Sequence, residues 1–519
     1  MGDYSSGDKI QFLIAMVVYM AAVIFIGIYY SKKANATSES YFLGGRTLGP
    51  WVTAMSAEAS DMSGWLLMGL PGVAYWCGLA DAFWTALGLA IGTYFNWLIV
   101  SRRLRRYSIR ANNSITLPEF FSNRFRENKK VISIIASLFI LIFFTVYASS
   151  CFVTCGKLFN QLFGIDYKIM MLIGAAFVLA YTLLGGFLAE SASDFMQAIV
   201  MVVALAVVVI IGVVSAGGFG AVIDNANNIP GFLEFFEIAN VENGTTTPYT
   251  PLSAVSMLAW GLGYFGMPQV LLRFMAIRNE KELRRSRIIA TVWVVISLTI
   301  AVFIGINGRV LQQQGNFNAT FPTSQSSAEN IFIILATSSL PAILAGFVMA
   351  GILAAAISSS DSYLLIAASS VSKDLFKGVF KKDATDKQVM WATRITLLAI
   401  VLIAMLIALD QNSVIFKIVS FAWAGFGATF GPLMLFSLFW KRTTRAGAIV
   451  GMLGGGAMVF IWKLLISKLG GVFAIYELLP AFIFSSILIV VVSLLTKKPS
   501  TEIEQDFEAV KNGDKSVLC

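Results

Sequence analysis

Successive apolar runs of roughly 20 residues, joined mostly by short loops, constrain this 519-residue chain more than any other feature. A run of about 20 residues crosses roughly 30 Å of hydrocarbon as a helix, in which the backbone polar groups find internal partners. Hydrophobic residues make up 57% of the chain and charged residues 13%, so no appended soluble domain is expected. The sequence predicts an all-α polytopic membrane protein with thirteen transmembrane helices. The predicted spans are 9–30, 50–76, 79–100, 131–160, 167–187, 189–216, 251–276, 286–311, 339–372, 389–409, 413–439, 445–467 and 473–496.

Basic residues predict how these helices are oriented. If thirteen helices alternate from an outside start, four loops rich in Lys and Arg lie on one side, together with the C-terminal tail; these loops are 101–130, 273–287, 373–387 and 441–445. The segment 217–251 carries acids, among them Glu242, but no Lys or Arg. Because Lys and Arg accumulate in cytoplasmic loops, we expect a plasma-membrane protein with its N-terminus outside and its C-terminus in the cytoplasm. The net charge of +9 is then a topology signal rather than a sign of nucleic-acid binding.

Residues that many enzymes and pumps need are missing from the chain. It contains no histidine, which excludes Ser-His triads and His-ligated metal sites. It also has no Gly-x-x-x-x-Gly-Lys-Ser/Thr loop to hold nucleotide phosphates. We therefore expect a protein that is not an enzyme and that moves a solute with the energy of an ion gradient.

Two spans carry residues that break helices. The span 50–76 contains two acids, Glu58 and Asp61, and a predicted break at Ser60–Gly64. Five helices later, Trp260–Pro268 contains three glycines and one proline, which cost about 1 and about 3 kcal/mol each in a helix. Broken helices at matching positions indicate a five-plus-five inverted repeat, although Gly and Pro that merely allow close helix packing are the alternative. The predicted divisions are an N-terminal extra helix and cytoplasmic loop (1–49), a first repeat (50–216), an extracellular loop (217–250), a second repeat (251–440), two C-terminal helices (441–498) and a cytoplasmic tail (499–519).

A third polar insertion interrupts the span 339–372, where four serines and Asp361 follow a run of alanines. Sodium is a hard cation that prefers oxygen ligands, and hydroxyls and backbone carbonyls supply these without excess negative charge. The alternative is that the serines only bond back to their own helix.

Several stretches resemble the sodium/solute symporter family. They include Ser56–Gly72, Leu43–Pro50, Gly185–Ala189, Trp260–Gly266, Arg273–Met275, Ile352–Ser359, Ala422–Ala428 and Tyr476–Glu477, which together span nearly the whole chain. The resemblance implies the five-plus-five fold with two broken helices. Because the stretches are most similar to the family's proline transporters, it also implies sodium-coupled import of L-proline across a lipid bilayer by alternating access.

The resemblance also assigns site residues. For sodium it implies the backbone carbonyls of Ala59, Met62 and Ala355 and the hydroxyls of Ser358 and Ser359, with Asp61 favouring the ion electrostatically. For the substrate it implies Ser63, Gly64 and Trp65, with Tyr147, Trp260 and Tyr264 closing the pocket. A second cation site is hypothesised from Asp194, Ser358, Asp361 and Ser362.

Three departures from the family pattern leave the substrate open. Glu58 stands where Gly is expected, Gly266-Met267-Pro268-Gln269 replaces the Gly-Gln-Pro-His of proline members, and Asp361 replaces a neutral residue. A symporter of another small amino acid or of a monocarboxylate is the alternative, and a channel or a membrane receptor is the alternative from another class.

Overall fold

The computed structural model describes residues 4–34, 38–240, 243–315 and 320–513, so Glu242 lies outside the described part of the chain. The described residues form helices, turns and one two-stranded hairpin. The hairpin pairs β1 (Glu237–Asn240) antiparallel with β2 (Thr245–Pro248), with Glu237 opposite Pro248.

The helices of the first half lie between residues 6 and 227. They are α1 (Ser6–Ala34), α2 (Ser38–Leu43), α3 (Pro50–Asp61), α4 (Leu70–Cys77), α5 (Leu79–Phe95), α6 (Ser101–Arg110), α7 (Leu117–Arg124), α8 (Val131–Phe163), α9 (Tyr167–Ser215) and α10 (Phe219–Asn227), with a 3₁₀ turn at Gly44–Arg46 and π-helical turns at Trp65–Gly69 and Asn96–Val100.

The helices of the second half follow the hairpin. They are α11 (Pro251–Leu258), α12 (Trp260–Gly263), α13 (Pro268–Ala276), α14 (Leu283–Gln314), α15 (Gln325–Ala328), α16 (Ile331–Ser339), α17 (Ala342–Ser369), α18 (Asp386–Ile407), α19 (Ile415–Phe439), α20 (Arg445–Leu464), α21 (Leu478–Leu495) and α22 (Thr501–Asn512). Shorter pieces are the 3₁₀ turns Tyr264–Gly266, Glu280–Glu282, Ile466–Leu469 and Gly471–Phe473 and the π-helical segment Ser370–Phe380.

Ten helices in the described chain are long and apolar enough to cross a membrane, or eleven when one bent pair is counted as a span. The prediction of a polytopic all-α membrane protein is confirmed, but the count of thirteen is not. Two shorter apolar helices, Trp65–Cys77 and Tyr167–Leu183, lie where the second and fifth spans are predicted. The first is short because the helical chain is interrupted before it, and the second because Gly186, with φ 62°, interrupts α9.

Two helices at the centre of the fold are buried along most of their length. Every residue from Thr53 to Asp61 in α3 is buried, as is every residue from Val348 to Ser369 in α17. The helix α3 packs against α9, α13, α14 and α17. By contrast, α1 and α21 expose many large hydrophobic side chains, as expected for helices that face lipid. The buried polar residues of α3 and α17 therefore face protein.

The four basic loops and the tail meet at one end of the molecule, which we call the basic end. Arg106 pairs with Glu280 across the first two loops, and Lys373 pairs with Glu119 between the third and the first. The tail helix α22 contacts the first loop and the fourth; its ion pairs are Arg110 with Asp506, Arg126 with Glu502 and Asp506, and Lys441 with Glu508.

Candidate functional site

Helix α3 ends at the centre of the molecule, inside the stretch where the sequence predicts a break. Met62 has φ −84° and ψ 73°, and α-helical backbone angles resume at Gly64. Ser63, fully buried, donates its N–H to the Asp61 carbonyl at 3.0 Å. A Cβ at Gly64 would lie 2.8 Å from Cβ of Thr154, so only glycine allows α8 to approach this closely. The break therefore presents backbone groups to neighbouring helices.

Two serines of α17 face the end of α3. The Ser358 hydroxyl donates to the Ala59 carbonyl at 2.8 Å and is 3.3 Å from the Ala355 carbonyl, while the Ser359 hydroxyl is 3.3 Å from the Ala59 carbonyl. Four of the oxygens predicted to bind sodium thus lie together, and Met62 is at the adjacent break. Ser360, in contrast, bonds back to its own helix at Ala356, 2.6 Å away. The back-bonding alternative fits Ser360 but not the contacts of Ser358 and Ser359 with α3.

The carboxyl group of Asp61 joins α3 to the second broken helix. Its Oδ2 accepts a hydrogen bond from the Tyr264 hydroxyl at 2.9 Å, and its Oδ1 accepts one from Gln269 Nε2 at 3.2 Å. The Asp61 carbonyl also accepts from the Tyr147 hydroxyl at 3.4 Å. Asp61 is fully buried. Two predicted substrate residues, Tyr147 and Tyr264, therefore contact the residue predicted to favour sodium.

Aromatic rings cover this region on the side away from the basic end. The ring of Trp260 lies 5.9 Å from that of Trp65, 5.8 Å from that of Trp423 and 5.2 Å from that of Tyr476. Trp423 Nε1 donates to the Trp260 carbonyl at 2.8 Å. Trp260 also lines a cavity of about 410 Å³ whose walls include Lys463, at the far end of α20. Trp260 thus stands between that cavity and the buried centre.

Three of the predicted substrate residues, Ser63, Trp65 and Trp260, have a buried donor without a hydrogen-bond partner among the described residues. The indole Nε1 atoms of Trp65 and Trp260 are buried and have no hydrogen-bond partner within the described ranges. Leaving a buried donor unpaired costs about 1–3 kcal/mol, so an acceptor that reached these donors would recover this free energy. Flat aromatic faces beside such donors suit a small molecule with an apolar part and a polar part.

Glu58 departs from the family pattern and lies one helical turn before Asp61. It is fully buried, and its Oε1 accepts a hydrogen bond from Trp97 Nε1 at 3.3 Å. Its Oε2 has no partner among the residues that the structure describes. This bond links α3 to the π-helical turn Asn96–Val100 rather than to α17.

Arg273, on α13, lies among the groups of the predicted second cation site. Its guanidinium forms a short ion pair with Glu190, pairs with Asp194 at 3.1 Å and donates to the Ser362 hydroxyl at 2.9 Å. Asp361 is buried beside Ser362 in α17. No group of three or more acids, cysteines or histidines in the described chain is arranged to hold a metal ion. The second cation site stays a prediction, and Arg273 places a positive charge of the protein itself between Asp194 and Ser362.

The Arg273 cluster, as we call Ser56, Glu190, Asp194, Arg273 and Ser362, connects four helices. Arg273 Nε donates to the Ser56 hydroxyl at 3.0 Å, and that hydroxyl donates to Asp194 Oδ2 at 2.8 Å. The cluster thereby holds α3, α9, α13 and α17 together. Glu190 Oε2 and Asp194 Oδ1 have no hydrogen-bond partner in the described part of the chain. The sequence signal for this cluster is the pair of acids, four residues apart, inside an apolar span.

A second buried ion pair lies away from the basic end, and sequence reasoning missed it. Lys157 Nζ is 2.6 Å from Glu329 Oε2, and both side chains are almost fully buried. Glu329 also accepts the backbone N–H groups of Ile415 and Phe416, each at 3.0 Å. The pair connects α8, the segment between α15 and α16, and the start of α19. A lone lysine inside a predicted span was the available signal.

Comparisons with known proteins place the chain among symporters. The family model of the sodium:solute symporter family matches residues 41–455. The sodium/proline symporter of Haemophilus influenzae is 42% identical over 510 residues, covering 97% of this chain and 98% of that protein. The high-affinity proline transporter PutP of Bacillus subtilis is 42% identical over 479 residues, covering 92% and 97%. The osmoregulated proline transporter OpuE of the same organism is 41% identical over 493 residues, covering 95% and 96%.

Solved structures share the fold. A Na⁺-coupled sialic acid symporter in a substrate-bound outward-open state superposes with a TM-score of 0.77 at 19% identity, over 94% of this chain and 99% of that one. MHP1, a nucleobase-cation-symport-1 family transporter in a closed conformation, superposes with a TM-score of 0.52 at 11% identity, over 90% of this chain and 98% of that one. The resemblance predicted from the sequence is confirmed, and with it the expectation of a membrane transporter rather than an enzyme. With a family model over most of its length and relatives about 40% identical from end to end, the chain belongs to the sodium:solute symporter family.

Proposed function

We propose that this protein is a sodium-coupled symporter that imports L-proline across the plasma membrane by alternating access. The observation that carries the proposal is 42% identity, over nearly the whole chain, to proteins named sodium/proline symporter and high-affinity proline transporter. One sodium ion moving down about 100 mV gains about 2.3 kcal/mol, and a tenfold concentration gradient adds about 1.4 kcal/mol. Together these accumulate a neutral zwitterion roughly 500-fold, so a single ion suffices.

The proposed architecture has thirteen transmembrane helices with a five-plus-five inverted-repeat core and two broken helices. The ten long apolar helices, the bent pair and the two shorter apolar helices support this count. The bent pair, Pro251–Gly266 with Pro268–Ala276, turns by 43°. We assign residues 50–216 and 251–440 to the two repeats. Because the basic end gathers the Lys- and Arg-rich loops, we place it and the C-terminus in the cytoplasm and the N-terminus outside.

We propose that sodium binds between α3 and α17. Its ligands are the carbonyls of Ala59, Met62 and Ala355 and the hydroxyls of Ser358 and Ser359. The contacts of both hydroxyls with the Ala59 carbonyl support this set, since they bring oxygen donors of two helices together. Such neutral oxygens suit a hard monovalent cation.

Proline is proposed to bind beside this ion, next to Ser63, Gly64 and Trp65. Tyr147, Trp260 and Tyr264 complete the pocket. The substrate carboxylate accepts hydrogen bonds from donors at the broken helix, and the pyrrolidine ring packs on aromatic faces. The unpaired indole donors of Trp65 and Trp260 support a ligand with acceptor oxygens.

Asp61 is the proposed link between ion and substrate. Its charge favours a cation near Ala59, and its two side-chain hydrogen bonds position Tyr264 and Gln269 of the second broken helix. A cation that binds near Asp61 therefore stabilises the arrangement of both broken helices. Sodium and substrate then favour the same conformation, which is the thermodynamic basis of coupling.

Uptake of labelled proline into proteoliposomes, with and without a sodium gradient, tests the proposal. We expect concentrative, sodium-dependent uptake that excess unlabelled proline suppresses more strongly than other amino acids or monocarboxylates do. Asp61→Asn should abolish sodium-dependent uptake. Glu58→Gln, the same chemical change one turn away, is the matched control and should retain it.

Four outcomes would contradict the proposal in different ways. Stronger suppression by another amino acid or a monocarboxylate would change the substrate. Uptake that never exceeds equilibrium would indicate a channel, and binding without uptake a receptor. An unchanged sodium requirement in Asp61→Asn would remove Asp61 from the ion site.

A further inference from the structure

A cavity of about 610 Å³ lies at the basic end between α6, α7 and α22, away from the proposed transport site. Its walls carry more positive than negative charge. The cations are Arg110, Arg124, Arg126, Lys130 and Lys382, and the acids are Glu127 and Asp506.

Arg124 is the buried cation of this cavity, with 2% of its surface exposed. Its Nε donates to the Ser437 carbonyl at 3.0 Å, but Nη1 and Nη2 have no hydrogen-bond partner among the described residues. The rings of Tyr107 and Phe125 lie 4.9 and 5.1 Å from the guanidinium carbon. These rings stabilise its charge and offer no acceptor oxygen to its two terminal nitrogens. Two adjacent unpaired guanidinium nitrogens fit an oxyanion that accepts two parallel hydrogen bonds.

Tyr107, which also lines the cavity, has a second unpaired donor. It is 2% exposed, and its hydroxyl has no partner in the part of the chain that the structure describes. Lys130 is half-buried and Lys382 is exposed, and both side chains line the cavity. Arg124 and Tyr107 together have three buried donor atoms without a partner among the described residues.

The tail helix already brings one acid to the cavity. Asp506 pairs with Arg110 and with Arg126, each at 2.8 Å. These contacts engage the two outer arginines and leave the terminal nitrogens of Arg124 without a partner. A single carboxylate thus does not saturate the cavity, whereas a phosphate group has the acceptor oxygens and the negative charge to do so.

The position of the cavity indicates where such a group comes from. Lys130 directly precedes α8, and the Ser437 carbonyl lies near the end of α19, so the cavity is level with the ends of two membrane-spanning helices. We infer that this cavity binds a phosphate group, carried by an anionic lipid headgroup of the adjacent leaflet or free in solution. Basic pockets between transmembrane helices on the cytoplasmic side are typical binding sites for anionic headgroups. The inference does not depend on the proposed proline transport.

Binding to the purified full-length protein in detergent tests this inference. The probes are dihexanoyl phosphatidylglycerol, dihexanoylglycerol, which has the same chains without the phosphate, and potassium phosphate, which adds no sodium. We expect phosphatidylglycerol to bind more tightly than dihexanoylglycerol. Lys130→Gln should weaken that binding about fivefold, whereas Lys129→Gln, at an exposed neighbour that does not line the cavity, should not.

Two further variants probe the buried donors. Arg124→Gln should weaken binding about tenfold or more, because it removes charge-assisted hydrogen bonds. If that variant does not fold, Tyr107→Phe removes only a hydroxyl and should weaken binding by a smaller factor than Arg124→Gln is expected to. Phosphatidylglycerol bound more tightly than potassium phosphate identifies the lipid as the source, and the reverse order identifies free phosphate. Equal effects of Lys130→Gln and Lys129→Gln would overturn the inference, as would equal binding of the two lipids.

Discussion

The two buried ion clusters lie toward opposite ends of the molecule and are built differently. Lys157 and Glu329 have one charge of each sign, and backbone N–H groups complete the shell of the carboxylate. Arg273 faces two acids, Glu190 and Asp194, and one oxygen of each acid has no partner among the described residues. The first cluster is balanced and saturated, and the second has an excess of acid with spare acceptors.

This difference predicts how much stability is lost when the charged side chain of each cluster is removed. A buried ion pair overcomes its desolvation cost only when the remaining polar atoms are also satisfied, and removing one partner leaves an uncompensated charge. Removing Arg273 leaves two acids without a cation, whereas removing Lys157 leaves one acid that still accepts two backbone N–H groups. The Arg273 cluster should therefore depend more strongly on its cation.

The largest effect is expected from Arg273→Met. It leaves Glu190 and Asp194 buried without a positive charge, so we expect a loss of about 3–5 kcal/mol in stability. The midpoint of thermal unfolding of the purified protein in detergent measures this. Arg273→Lys keeps the charge but not the fork of donors, and should lose less. An unchanged midpoint in Arg273→Met would remove the cluster as a stabilising element.

Lys157→Met should cost less, about 3 kcal/mol, because the Glu329 carboxylate keeps its two backbone donors. The same thermal measurement applies. Adding Glu329→Gln to this variant should recover much of the loss, since an amide carries no charge to bury. A loss larger than that of Arg273→Met would reverse the comparison.

A matched Glu→Gln change sharpens the contrast. Glu190→Gln leaves Arg273 paired with Asp194 and removes surplus negative charge, so the stability should change by no more than about 1 kcal/mol. Glu329→Gln leaves Lys157 without a counter-charge and should cost about 3 kcal/mol. Equal midpoints of thermal unfolding for the two variants would show that the excess of acid in the Arg273 cluster does not affect stability.

The smallest effect is expected at an exposed pair of the basic end. Asp506→Asn breaks contacts with Arg110 and Arg126, whose side chains are 38% and 47% exposed. Such pairs contribute about 0–1 kcal/mol, and salt screens them. The midpoint of the variant should lie close to that of the unchanged protein, and closer still at high salt. A shift as large as that of Lys157→Met would give the tail helix a structural role.

Much of the central site could be predicted from the sequence, because its residues sit in local patterns. Gly and Pro at Trp260–Pro268 weaken a helix wherever they occur, and Ser358 with Ser359 inside an apolar span needs a polar neighbour. The family resemblance supplied that neighbour, Ala59, and the structure places its carbonyl next to both hydroxyls.

The ion clusters could not be predicted in the same way. Whether Asp194 binds a metal cation or pairs with the Arg273 side chain depends on how four helices pack together, and no local sequence pattern encodes that packing. Lys157 and Glu329 are 172 residues apart, so neither indicates its partner. The count of thirteen helices stays a prediction for a related reason: a test of helix length and composition does not register a span that a break or a kink divides, as near Met62 and at Gly186.

The contact between α17 and α3 has a consequence for the return of the empty carrier. The hydroxyls of Ser358 and Ser359 donate to the Ala59 carbonyl and connect the two helices. In the proposed cycle a sodium ion takes the place of the hydroxyl protons as the positive charge between the same oxygens. Releasing the ion then exchanges one bridge for another and leaves no bare carbonyl behind. In the proposed cycle, the protein without substrate and ion can therefore return to its starting conformation without the cost of an unpaired carbonyl between α3 and α17.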